Sequence, residues 1–432
     1  MMLVAVVIGV ACMFTPLLAI SAAGFVAVLS ILWGRPRLAL VAWLLSVAMI
    51  PCWIGLSMFA YVPIQSLVAM MAIAAMTGKG YFERTGFDVY VVLFLVLSLV
   101  AVVLAGSNQG IWMEFALQWA LSYFVARWLI SATGIPFAVN ATAIIFSVVG
   151  GLAVLELLLL WHPYQGWNMN NLEFATWGEI QQRGGRDRSE WAFGHSIALG
   201  GSLALALPFI FKTSYGCIWK TAMLLLMFSG ILVSASRSAL IAGIFALSLC
   251  AIFYVKNVYG RFTLLAMFSG ILILTLSVFQ EFTRGDTTEE HDSAFYRNEI
   301  YQTLPDDFSL FGKSSIVTFS SAGVRVGQFE SIDSSFLYIG VNFGWLIVMM
   351  LTVPLVLCGY RLIAGRSSIA EVSLLGQIPL LATVALITQY QSLLFFVVGF
   401  AVQIAIASKR DRMSASLPRA PAPGVPRQTA AT

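Results

Sequence analysis

Long apolar runs separated by short basic turns dominate the chain. A bilayer core of about 30 Å takes about 20 apolar residues as helix, and that ruler picks out about fourteen segments along the sequence. They lie near 2–13, 15–33, 38–55, 62–77, 87–105, 111–130 and 136–161, then near 194–211, 217–234, 236–254, 262–280, 334–357, 372–386 and 390–407. Residues 1–33 read equally well as one long tilted helix. The pattern therefore predicts an all-α polytopic membrane protein with about 12–14 transmembrane helices. Two stretches break the rhythm, 162–193 and 281–333, both long and polar. The resulting order is N-terminal helices over 1–161, a loop over 162–193, central helices over 194–280, a larger loop over 281–333, C-terminal helices over 334–408 and a tail over 409–432.

Composition excludes a water-soluble globule. Of 432 residues, 59% are hydrophobic and 10% charged, against roughly 25% charged in an ordinary soluble domain. The five cysteines all fall in apolar stretches at no metal-ligand spacing, so they read as small packing residues. The placement of charge then orients the spans. Arg35, Arg37, Lys79, Arg84, Arg127 and Lys212 fall on one side, together with the basic tail, and short basic loops stay in the cytoplasm. Both termini are thus expected in the cytoplasm, with the two polar loops outside. The tail after Met413, rich in Pro and Ala, lacks the apolar residues to offset its ordering entropy and is expected to be disordered.

No phosphate-cradling glycine loop of the nucleotide-binding kinds is present. His162, His195 and His291 are far apart and have no metal partner at helical spacing, so neither metal nor nucleotide cofactor is expected. Nothing suggests a nucleic-acid partner. The candidate chemistry lies in the outer loops and the helix ends beside them. Arg188 stands a few residues before an apolar helix that His195 opens, where an imidazole can also simply cap the helix. Arg237 sits in SASRSAL, residues 234–240, where two spans join with almost no loop. It either snorkels to the headgroups or, among Ser234, Ser236 and Ser238, faces an anion. Asp333 precedes Ser334 and Ser335 where the larger loop meets the next span; it reads as a helix N-cap or as a general base.

At these places the sequence resembles the bacterial O-antigen ligase and polymerase superfamily. RDRSEWAFGHSIALGGSLALALP, residues 186–208, looks like that family's arginine, aromatic-Gly-His and small-residue helix; SASRSAL looks like its Ser-Arg-Ser turn; Arg297 in AFYRNEIY, followed by DSSFLYIGVNFG, looks like the end of its large outer loop. Ser196 departs from a proline common after the histidine, and Asp333 stands where ligases carry histidine, which tilts the resemblance toward a polymerase. The resemblance implies a glycosyltransferase-C-like fold and a donor glycan on undecaprenyl diphosphate. It further implies Arg188, Arg237 and Arg297 around the diphosphate, with Asp333 or His195 as base. Partners would be membrane lipids and the flippase and chain-length regulator of the same pathway. A ligase using the same donor, and a transporter or lipid-linked glycan flippase, are the rival readings. Transporters place ionisable groups at mid-membrane, whereas the polar mass here lies in the loops.

Overall fold

The computed structural model describes residues 27–57, 61–76, 82–183, 185–255, 298–320, 323–327 and 332–416, with a few isolated positions between them. The expected spans near 2–13 and 262–280, most of 15–33, and the first part of the larger loop lie outside these residues.

Helices account for nearly all of the regular structure. They are α1 (Pro36–Met49), α2 (Ile64–Met76), α3 (Gly86–Ala105), α4 (Gln109–Glu114), α5 (Leu121–Thr133), α6 (Ile135–Leu159), α7 (Leu172–Trp177), α8 (Ser196–Ala206), α9 (Cys217–Val233) and α10 (Arg237–Tyr254). After the larger loop come α11 (Ser335–Phe343), α12 (Trp345–Ile363), α13 (Ile369–Gly376), α14 (Ile378–Thr383) and α15 (Thr388–Ser416). Among the described residues, strands are confined to three short antiparallel hairpins: β1 (Gly55–Ser57) with β2 (Tyr61–Pro63), β3 (Gln182–Arg183) with β4 (Arg186–Asp187), and β5 (Val317–Ser320) with β6 (Gly323–Val326). Among the described residues, five helices, Gly86–Ala105, Ile135–Leu159, Arg237–Tyr254, Trp345–Ile363 and the one beginning at Thr388, are long and apolar enough to cross a membrane. Their outward faces are apolar too: Val103 and Leu104 on α3 and Val356 and Ile363 on α12 are exposed. A bundle with apolar side chains both inside and out, whose backbone groups are satisfied within helices, is an all-α membrane-embedded protein.

Several expected spans differ from the helices that form. The segment near 38–55 is helical only to Met49, because Pro51 cannot donate to a continuing ladder, and the chain turns into the first hairpin. The segment near 111–130 runs as α4, a π-helical turn over Phe115–Ala120, and α5. The segment near 334–357 is two helices broken at Gly344, whose φ of +83° suits glycine alone and where a Cβ would lie 2.7 Å from the Ser309 carbonyl. The freed backbone groups are satisfied by residues 309–314 of the larger loop. Trp345 N donates to Ser309 O (3.0 Å), Leu346 N to Leu310 O (3.1 Å), and Ser314 N to Val341 O (2.7 Å). The segment near 372–386 starts earlier, at a Ser368–Glu371 capping box, and stops at Thr383. The last helix continues to Ser416, three residues past Met413, after which the sequence suggested a disordered tail; residues 417–432 are outside those described.

The N-termini of α8, α10, α11 and α15 share one end of the bundle, and the polar loops pack there. The opposite end holds the C-termini of α10 and α15. There Arg127, 1% exposed, is held by Asp88 (Nε to Oδ1, 2.9 Å; Nη2 to Oδ2, 3.1 Å), by Gln403 and by the Glu83 carbonyl (2.6 Å).

Candidate functional site

The loop after α6 is anchored by one buried carboxylate. Glu156 Oε2 accepts from Trp191 N (2.8 Å), Glu190 N (3.2 Å) and the Ser189 hydroxyl. Its Oε1 lies 3.0 Å from His162 Nδ1, and His162 Nε2 is 3.7 Å from Asp187 Oδ2. A charged group this deep persists only with such a full set of partners. The result fixes residues 187–191 as a strap across the loop end of the bundle.

That strap docks on the turn between α9 and α10. Ser189 N donates to Val233 O (3.3 Å), and Arg188 donates through Nε to Ser234 O (3.2 Å) and through Nη2 to Ala235 O (3.1 Å). The last carbonyls of a helix lack partners within it, and here a guanidinium supplies them. Ala235 takes φ +50°, Ser236 caps α10 by accepting from Ala239 N (3.3 Å), and Arg237 is the first residue of that helix. The structure thus brings Arg188 and the turn bearing Arg237 together.

Between the strap and α8 the chain makes a single 3₁₀ turn, Trp191–Phe193, then Gly194 at φ +63°. A Cβ on Gly194 would lie 2.9 Å from the Trp53 ring and 3.0 Å from the Trp177 carbonyl, so the aromatic-Gly-His motif has a steric reason. His195 is the N-cap of α8: Nδ1 accepts from Ile197 N (3.1 Å). Burial, helped by the charge of Arg188, pushes its pKa down to about 4. The ring is therefore neutral, with its proton on Nε2, because the Nδ1 lone pair is occupied. In this arrangement His195 presents an N–H donor at Nε2.

Glu190, which the sequence did not single out, is buried beside it, with Oε1 accepting from Gln181 N (3.0 Å). Burial raises its pKa to about 7 against the opposing charge of Arg188. A lone carboxylate inside an apolar span is the signal that could have flagged its neighbour Glu156; for Glu190 only the folded loop reveals the burial.

Asp333 is half-buried, one position outside the N-cap of α11. The N-cap is Ser334, which corrects the capping role expected for Asp333. Ser334 Oγ accepts from Tyr301 OH (2.9 Å), while Ser335 donates through N (3.1 Å) and Oγ (2.6 Å) to Val384 O. The preceding residue, Thr383, donates to Ser238 Oγ (3.0 Å), one residue past Arg237. The starts of α10 and α11 therefore meet where α14 ends, at Thr383 and Val384, just before the non-helical stretch that leads to α15. Arg297 lies outside the described residues.

Next to this junction is a cleft of about 660 Å³. Ile332, Trp177 and residues 385–388 line one side, and Trp177 also packs edge-on against His195 at 5.8 Å. Glu114, Glu173, Gln65, Gln109, Gln118 and Gln391 supply carboxylate and amide groups, with Tyr61 and Tyr338 also among the lining and, among the described residues, no Lys or Arg. Among the described residues, no group of three or more His, Cys, Asp or Glu side chains is placed to hold a metal ion. No family model, no curated protein and no solved structure matches the chain.

Proposed function

We propose that the chain is a membrane glycosyltransferase that joins oligosaccharide repeat units carried on undecaprenyl diphosphate, on the outer side of a bacterial inner membrane. The observation that carries this reading is the junction at the loop end, where Arg188 braces the turn that presents Arg237 and the N-termini of α8, α10 and α11 gather. Helix N-termini and guanidinium groups together favour an anion, and guanidinium suits phosphate oxygens through paired N–H groups. In this reading Arg188 works chiefly by positioning the turn, Arg237 meets the diphosphate, and His195 Nε2–H adds a neutral donor. Arg297 would approach from the larger loop.

The adjoining cleft suits the acceptor sugar. Its carboxylates and amides hydrogen-bond to hydroxyls, as a sugar requires. The acceptor hydroxyl attacks the anomeric carbon as the bond from that carbon to the phosphate oxygen breaks, and Asp333 takes the hydroxyl proton. The electron pair leaves with the diphosphate, whose growing charge the arginine and helix ends stabilise. The multi-span count, the glycosyltransferase-C-like fold and cytoplasmic termini belong to this same proposal. Asp333 in place of the ligase histidine favours polymerisation over transfer to a different acceptor.

The test is polymer formation by purified full-length protein given the lipid-linked repeat unit, with products sized on their carrier. The wild type should give a ladder of lengths. Arg237→Lys keeps the charge but loses the paired geometry, a charge-assisted bond worth about 1.5–3 kcal/mol, so the rate should fall by roughly ten- to a hundredfold. Arg237→Ala should fall further, both variants accumulating normally. Full activity in both would return Arg237 to the snorkelling role, and a wild type that never lengthens the carrier-bound glycan would end the polymerase reading.

A further inference from the structure

At the end of the bundle away from the site, a groove of about 490 Å³ opens between α12, α13 and α15. Its floor is apolar, with Phe87, Pro354, Leu357, Leu374, Val398 and Ile406. Its rim carries Arg361, Arg366, Lys409 and Arg412 with one carboxylate, Glu371, so three positive charges are left over. Arg361 is the cation already matched: its Nε pairs with Glu371, which also closes the capping box of α13, and its Nη2 donates to Arg366 O (3.2 Å). Among the described residues, no ion pair joins Arg366, Lys409 or Arg412 to a carboxylate.

The two halves of this groove ask for two kinds of chemistry in one molecule. A free phosphate would satisfy the rim and leave the floor bare, and a neutral lipid would do the reverse. The floor is also continuous with the outward face of α12, where Leu357 is 50% and Val356 68% exposed, so hydrocarbon can enter from the side. Basic pockets between membrane helices are suited to anionic headgroups. We propose that this groove binds one anionic phospholipid, its phosphate held by Arg366, Lys409 and Arg412 and an acyl chain laid over Leu357 and Pro354. The site is independent of glycosyl transfer.

The test uses the purified full-length chain in mild detergent, with native mass spectrometry after addition of phosphatidylglycerol or phosphatidylcholine. The wild type should retain phosphatidylglycerol preferentially, one molecule per chain. Replacing Arg366, Lys409 and Arg412 by Gln should erase that preference at roughly fivefold per cation, the surface attraction of one basic residue to an anionic leaflet. Arg361 is left in place because removing it would strand Glu371. All three substituted residues are exposed, and the single variants R366Q and K409Q keep the measurement readable if the triple variant does not fold. Soluble glycerol phosphate at millimolar concentration should displace nothing. Equal retention of the two lipids, a preference that survives the substitutions, or displacement by glycerol phosphate would each overturn the proposal, the last in favour of a simple phosphate site.

Discussion

Glu190 in the strap and His195 just after it titrate in opposite senses. Glu190 binds its proton more tightly in the folded chain, at about 7 against an ordinary 4.5, so its contribution to stability falls as pH rises through that window. His195 binds its proton less tightly, at about 4 against 6.5, so its contribution rises with pH over 4 to 6.5. The two oppose each other between pH 4.5 and 6.5. Glu190→Gln removes the first contribution and leaves the second. Its thermal midpoint should therefore climb with pH across that interval while the wild type stays nearly flat, and the variant should gain on the wild type up to pH 7. Parallel profiles would show that Glu190 is already ionised below neutrality. His195 and Arg237 were legible in the sequence because each stands in a short motif at a helix start, Gly194 and Ser236 preceding them. Glu190 was not, because its burial depends on Gln181 and Glu156, which only folding delivers.

Three helices are stitched together by a single guanidinium at the far end of the bundle. Arg127 on α5 reaches Asp88 on α3 and Gln403 on α15, while Asp88 also accepts from Tyr123 OH (2.7 Å) and closes the capping box with Thr85. Removing one partner of a buried pair leaves an uncompensated charge at a cost of about 3–5 kcal/mol. Arg127→Met should lower the thermal midpoint in detergent accordingly. The double variant with Asp88→Asn should recover much of the loss, since the amide keeps a capping oxygen without the charge. An unchanged midpoint in the single variant would remove the pair from the account of stability. The apolar ruler found the long helices because α3 and α6 are nearly uniform in hydropathy. It failed at Gly344 and Thr383, where partner segments 309–314 and Ser335 satisfy the broken ladder and no local signal announces them.

The bundle has two unlike ends, one built of loops and helix starts, the other ringed with cations. If the loop end faces outward, cysteines placed at the exposed positions Gln182 and Ser315 should react with an impermeant thiol reagent in intact cells. One placed at Ser414 should react only after lysis. Labelling at 414 with protection at 182 and 315 would invert the topology and exclude an extracytoplasmic enzyme. The hydropathy pattern made the membrane class plain, yet it could not show that the junction and the cleft share a partition. That partition is residues 384–387, a stretch outside any helix. One flank accepts Ser335 through Val384 and abuts Thr383, which grips Ser238, while residues 385–387 form part of the cleft wall. The hydrogen bonds that seat the starts of α10 and α11 are therefore made on Thr383 and Val384, the residues directly adjoining the cleft wall.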